Sequence, residues 1–190
     1  RKAADTLPPA ICVGRVVLFR AAVPGVAGLT TGLYYDAPDK IGEYAFHKCN
    51  GLTSIAIPKN ITEISGCTFE DCISLTSIDL PDNLTTIYYG AFSGCSSLTS
   101  ITIPESVTEI GFSAFENCIS LKSIDFPSSI TTIDHEAFSG CSGLMSVDIP
   151  SSVTSIGISA FSGCGGLISV YIPSSVTSIE YSAFSGCNSL

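Results

Sequence analysis

Nine cysteines, two histidines, 17 acidic residues and a large set of serines are the side chains here that could hold a metal, attack a carbonyl or move a proton. The histidines are His47 and His135, and His135 sits in the triplet Asp134-His135-Glu136. Three consecutive side chains do not readily converge on one ion, so the triplet reads as an exposed polar turn and not as a metal site. The frequent Ser-Gly pairs lack the framing of a phosphate-cradling loop, and no Gly-x-Ser-x-Gly elbow presents a nucleophile. The sequence therefore predicts no catalytic residue, no metal and no cofactor, and an enzyme is the least favoured class.

The spacing of the cysteines says what positions these residues. Seven of the nine (Cys49, Cys72, Cys95, Cys118, Cys141, Cys164 and Cys187) each follow a Phe by three residues and precede a Leu by three. The step between copies is 23 residues, as in Phe138, Phe161 and Phe184. A fixed period with apolar residues locked to it is the signature of a solenoid. In stacked parallel coils, equivalent residues lie about 4.8 Å apart with side chains aligned. Their Cβ atoms then stay beyond the roughly 3.5–4.5 Å that a relaxed disulfide needs. The expectation is a column of buried free thiols acting as small apolar residues. Cys12 and Cys67 lie off that column and are free to pair or react, so cysteine usage leaves the redox compartment open.

One copy, Ile110 to Thr132, shows how the repeat is read. Leu121, Ile124 and Phe126 supply the inward side of a short strand, with Ser123 and Asp125 on its other face. Pro127 ends it, and a proline stands at the same place in six copies (58, 81, 104, 127, 150 and 173). Ser128 and Ser129 turn the chain, Ile130 and Ile133 point inward, and Ala137 and Phe138 belong to a turn or short helical segment on the outer side.

Two outward strand columns form the candidate binding face: Ser54, Ser77, Ser100, Ser123, Ser146 and Ser169, and beside them Ala56, Asp79, Thr102, Asp125, Asp148 and Tyr171. Stacked in register, Asp125 and Asp148 would lie about 4.8 Å apart and favour a cation or basic partner. The competing reading is a polar surface that only keeps a sheet soluble. Tyr171 is the aromatic anchor of this end. A third column runs from Thr62 through Thr85, Thr108, Thr131 and Thr154 to Thr177, and its hydroxyls are expected to satisfy backbone groups near a turn. The sequons Asn60-Ile61-Thr62 and Asn83-Leu84-Thr85 follow from that fixed Thr and say little about secretion.

The pattern L-x-x-I-x-I-P-x-x-V-x-x-I-x-x-x-A-F-x-x-C over residues 41–190 resembles the BspA-like, or Treponema-type, leucine-rich repeat family. The resemblance implies a right-handed repeat solenoid of about seven coils over 36–190, with a concave parallel sheet and convex turns or short helical segments. It also implies a surface or secreted recognition and adhesion role, with a protein or glycan partner on the concave face at the residues named above.

Residues 1–35 stand outside the repeat and the resemblance. They carry Arg1, Lys2, Arg15 and Arg20 against Asp5, so the remainder, with 4 basic and 16 acidic residues, is strongly negative. Such a surface is a poor match for nucleic acid. Residues 11–33 are apolar, but Arg15, Arg20 and Pro24 interrupt them before a span of ~18 residues is reached. The segment reads as a divergent cap over the first coil, with a docking or membrane-associating segment using Arg15 and Arg20 as the alternative. The chain begins at Arg1 without Met, read as a processed form or fragment. It stops at Leu190 before the next strand, read as further repeats removed or an end covered by another protein. The alternative function is thus a structural subunit of a larger, membrane-associated or organellar complex, held by residues 1–35 and the open C-terminal edge.

Overall fold

The structure, a computed structural model, describes residues 41–190 and the strand segments 11–13 and 16–18. The strands are β1 (Ile11–Val13), β2 (Val16–Leu18), β3 (Ser54–Ala56), β4 (Glu63–Ile64), β5 (Ser77–Asp79), β6 (Thr86–Ile87), β7 (Glu109–Ile110), β8 (Thr132–Ile133), β9 (Ser146–Asp148), β10 (Ser155–Ile156), β11 (Ser169–Tyr171) and β12 (Ser178–Ile179). β1 and β2 pair antiparallel, whereas every later pairing is parallel between residues 23 apart, such as Ser54 with Ser77 and Ile133 with Ile156. The result is a parallel-strand solenoid with a 23-residue period. Among the described residues the convex side is built of turns and contains no helix.

Each coil has two strand positions. The first carries β3 beside β5, an isolated bridge between Thr102 and Asp125, and β9 beside β11. The second carries β4, β6 and β7 in one sheet and β8, β10 and β12 in another. Between them the prolines act as turn starters: the Pro58, Pro81 and Pro150 carbonyls each accept the amide three residues on at 3.0 Å. Proline supplies a fixed φ there and has no ladder donor to waste.

The convex return needs two left-handed residues per coil, one two positions before the Phe and one two positions after. They include Cys67 and Asp71, Gly90 and Gly94, Ser113 and Asn117, and Glu136 and Gly140. At Gly140 space adds a second reason for glycine, since a Cβ would come 2.3 Å from Asn117 Oδ1. Glycine, Asn and Asp carry the smallest penalty at such φ values.

The core is a column of phenylalanines. Rings from Phe46 to Phe184 stack in sequence with centroids 5.0–5.5 Å apart and planes within 3–11°. Leu75, Leu98, Leu121, Leu144 and Leu167 are fully buried with them. In the last coil Phe184 and Cys187 are half-buried, with no further described coil over them.

The thiols are free, as the spacing required, and they are also polar links. Cys72, Cys95, Cys118, Cys141, Cys164 and Cys187 donate through Sγ to the carbonyls of Phe46, Phe69, Phe92, Phe115, Phe138 and Phe161, at 3.0–3.2 Å. The same carbonyl accepts a second bond from within its coil, as when Cys72 N donates to Phe69 O at 3.1 Å. The expectation of thiols as merely small apolar residues is therefore corrected: each Sγ–H satisfies the second lone pair of a buried carbonyl. Burial pushes the thiols of Cys95, Cys118, Cys141, Cys164 and Cys187 up, Cys164 from 9.0 to about 12.

Two outcomes follow. Phe115→Ala removes the ring between Phe92 and Phe138 and is expected to cost about 3–5 kcal/mol by denaturant unfolding. The raised thiols stabilise the fold fully below the unfolded value of 9.0, and that contribution is lost as pH rises toward about 12. Denaturant midpoints should therefore be unaffected by the thiols up to about pH 9 and fall above it, less steeply in Cys164→Ala.

Candidate recognition face

The outward side of the first strand position is the concave face. On β5 and β9 the strand centres Ile78 and Val147 are buried, while Ser77, Asp79, Ser146 and Asp148 are exposed, the alternation expected of a half-buried strand. Ser100, Thr102, Ser123, Asp125, Ser169 and Tyr171 are exposed as well, so every concave-face residue expected from the sequence reaches solvent. Register is direct for Ala56 with Asp79, Thr102 with Asp125, and Asp148 with Tyr171.

The expected column is interrupted twice, between Asp79 and Thr102 and again where its acidic pair lies. Asp125 and Asp148 are not ladder partners: Asp125 bridges to Thr102, and Asp148 pairs with Tyr171 in the next sheet. Between the two strands an open depression of about 190 Å³ is lined by Ser123, Ile124, Asp125, Phe126, Ser146 and Asp148. The bulky Phe126, edge-on to Phe138 at 5.4 Å, stands at the base of this break. Most repeats carry Ile at that place, as at Ile57, Ile103 and Ile149, so the exchange is visible in the sequence.

Around the depression the face is mixed in chemistry. Tyr171 is 63% exposed, and Met145 and Ile168 stand out from the sheet beside it at 51% and 66%. Lys122 is exposed in the same column as Met145 and Ile168. No hydrogen bond or ion pair among the described residues engages the side chains of Asp79, Asp125, Asp148 or Tyr171.

The threonine column behaves differently. Thr85 Oγ1 donates to Thr62 O at 3.0 Å, where Thr85 N also binds, and Thr154 and Thr177 repeat the bond at 3.3 and 3.2 Å. These hydroxyls tie coil to coil, as the sequence led one to expect.

The Asp134-His135-Glu136 side chains go separate ways. Asp134 Oδ1 accepts the His135 amide at 2.7 Å, His135 Nδ1 accepts the Ile158 amide at 2.8 Å, and Glu136 Oε2 lies 3.3 Å from Ser113 Oγ. Glu180 Oε2 is 3.6 Å from the same Nδ1, which cannot hold a proton for it while accepting from Ile158. His47 lies 3.1 Å from Glu70. Cys67, off the thiol column, is raised by burial, and its hydrogen bond is the main cause that lifts Tyr44 to about 12. The docking candidates Arg15 and Arg20, the side chain of Cys12, and the cap or anchor role of residues 1–35 lie outside the described residues.

The profile of the family described as BspA type leucine-rich repeat region matches residues 35–144 and 67–190, with 6 copies. Among solved structures, a leucine-rich repeat protein from Bacteroides ovatus is 31% identical, with a TM-score of 0.84 over 98% of this chain and 52% of its own. The chain thus spans about half the length of that protein. The T. pallidum leucine-rich repeat protein is 34% identical, with a TM-score of 0.77 over 80% of this chain and 71% of its own. A leucine-rich repeat protein from Eubacterium ventriosum is 27% identical, with a TM-score of 0.65 over 78% of this chain and 46% of its own. No curated protein matches the sequence.

Because the fold makes no use of the two acidic side chains, Asp125→Asn with Asp148→Asn should leave the denaturant midpoint unchanged to within about 0.5 kcal/mol. A larger loss would mean that the carboxylates hold the strands and are not spare.

Proposed function

We propose that this chain, which belongs to the BspA-type leucine-rich repeat family, is a non-enzymatic recognition and adhesion module of a surface or secreted protein. It holds a macromolecular partner on its concave face. Leucine-rich repeats are generally protein-interaction modules, and a protein is the favoured partner. The observation that carries the reading is the division of labour between outward columns: the hydroxyls of Thr85, Thr108, Thr154 and Thr177 are consumed by the fold, whereas Asp79, Asp125, Asp148 and Tyr171 are left to solvent.

The chemistry of that face supports a partner with basic and apolar groups together. Two carboxylates flank an open depression, and Met145, Ile168 and Tyr171 offer apolar area beside them. Exposed aromatics at the centre of a patch with charged groups around it are the usual anatomy of an interface. The solenoid span is 36–190, with 1–35 as a separate cap or docking segment. The alternative, a structural subunit held through residues 1–35, depends on residues outside the described ones. Among the described residues no helix is long and apolar enough to cross a membrane.

The test is Asp125→Lys with Asp148→Lys in the folded protein, assayed against partners captured on the wild-type chain. Binding to a confirmed partner should fall at least about tenfold, since reversing two charges sets like against like. Unaltered binding would remove the acidic part of the concave face from the reading.

A further inference from the structure

A second outward column has a different character. Tyr89, Phe112, His135, Ile158 and Tyr181 are 23 residues apart and occupy the same place in five successive coils, where the second strand passes into the convex turn. Their exposures are 40% for Tyr89, 47% for Phe112, 41% for Ile158 and 83% for Tyr181, and the His135 side chain is 45% exposed. Four of the five are large and apolar or aromatic. A position that the repeat turns to solvent ordinarily carries small or charged side chains, and apart from Tyr88 the columns on either side do. One holds Tyr88, Gly111, Asp134, Gly157 and Glu180, and the other Gly90, Ser113, Glu136, Ser159 and Ser182. Neither contains a Lys or Arg.

The ridge is rigid before any partner arrives. The carbonyls of Tyr89, Phe112, His135, Ile158 and Tyr181 each accept an amide from the preceding coil, at 2.8–3.0 Å. Tyr89 also covers Gly66, where a Cβ would lie 2.3 Å from its ring. A fixed backbone lowers the ordering entropy that an interface must overcome.

We propose that this ridge is a docking surface, distinct from the concave face, for a basic amphipathic α-helix of a protein partner laid along the solenoid axis. The period selects the helix. The core rings three residues on from the ridge positions repeat every 5.2–5.5 Å between Phe69 and Phe184, and hydrogen-bonded strands repeat about every 4.8 Å, so the coil repeat is about 5 Å. An α-helix advances about 5.4 Å per turn, so an apolar residue on each turn meets one ridge residue on each coil. An extended strand repeats its same-face side chains about every 6.6–6.8 Å and falls out of step within two or three coils. Charge selects the sign: Asp134, Glu136 and Glu180 border the ridge, so Lys or Arg beside the apolar stripe of the partner is complementary. The same charge disfavours a second copy of this chain, whose net charge is also -9.

The experiment uses two blocked Leu/Lys peptides of equal composition and roughly 15 residues. One places Leu at helical spacing, and the other alternates Leu with Lys as a strand does. Titration followed by fluorescence anisotropy should show the helical peptide binding at least about tenfold more tightly. Phe112→Ser with Ile158→Ser should weaken it by about tenfold, whereas Met145→Ser with Tyr171→Ser on the concave face should not. None of these substitutions changes charge. In the unaltered protein, amide signals of residues 89–91, 112–114 and 158–160 should shift on adding the helical peptide, a readout independent of how any variant folds. Equal affinity for the two peptides, undiminished binding by the ridge variant, or shifts centred on the concave strands would each overturn the proposal; the first two leave the concave-face reading untouched, and the third would favour it.

Discussion

Stacking one benzene ring on another fixes the distance between the backbones that carry them. The column from Phe46 to Phe184 does this six times in succession, with near-parallel planes, and so sets the rise of the solenoid. Everything else must accept that rise. Strand pairs find their partners 23 residues away, and threonine hydroxyls reach the carbonyl of the preceding threonine. The Cys thiol reaches back 26 residues to the Phe carbonyl of the coil before. Thiol and ring are coupled through one peptide unit. A coil that lost its Phe would also misplace the acceptor for the thiol of the next coil.

Much of this was legible in the chain itself. The 23-residue spacing of Phe, Cys and Leu forces equivalent residues into columns, and columns of that period admit little besides a solenoid. The six prolines mark where ladder bonding stops because they cannot donate to it. The free thiols followed from the parallel direction of stacked Cβ atoms. What escaped was set by atoms the spacing does not reveal. The Sγ donor role depends on which lone pair of the Phe carbonyl is still open. The break between the Asp125 and Asp148 strands is not written in the spacing, and the equal spacing of the aspartates suggested a continuity that the ladder lacks. The left-handed positions were hidden wherever Tyr44, Lys48 or Glu136 stands in place of glycine.

The candidate sites show the same division. A repeat sequence makes structural columns uniform, since a coil with the wrong residue there cannot stack. The Thr column is such a case. Columns free of that demand are where the copies diverge, among them the Asp, Thr and Tyr positions of the concave strands and the ridge that begins at Tyr89. Both are held by inter-coil backbone bonds, so their side chains sit on a lattice whose spacing the core has already chosen.

The two left-handed residues of each convex turn have a consequence for how the array comes apart. An L side chain at such a φ costs about 1–2 kcal/mol per residue, less for Asn and Asp. Coils differ in how many they hold: Tyr44 with Lys48, Cys67 with Asp71 and Ser113 with Asn117 lack glycine altogether, while Gly90 with Gly94 carry no side chain. Each coil touches only its neighbours, so stability is close to a sum of local and nearest-neighbour contributions. Such a chain behaves as a linear array of coupled units with unequal fields. On this ground alone the turn at residues 90–94 is the least strained, and the turns at 44–48, 67–71 and 113–117 are the weakest links of the array.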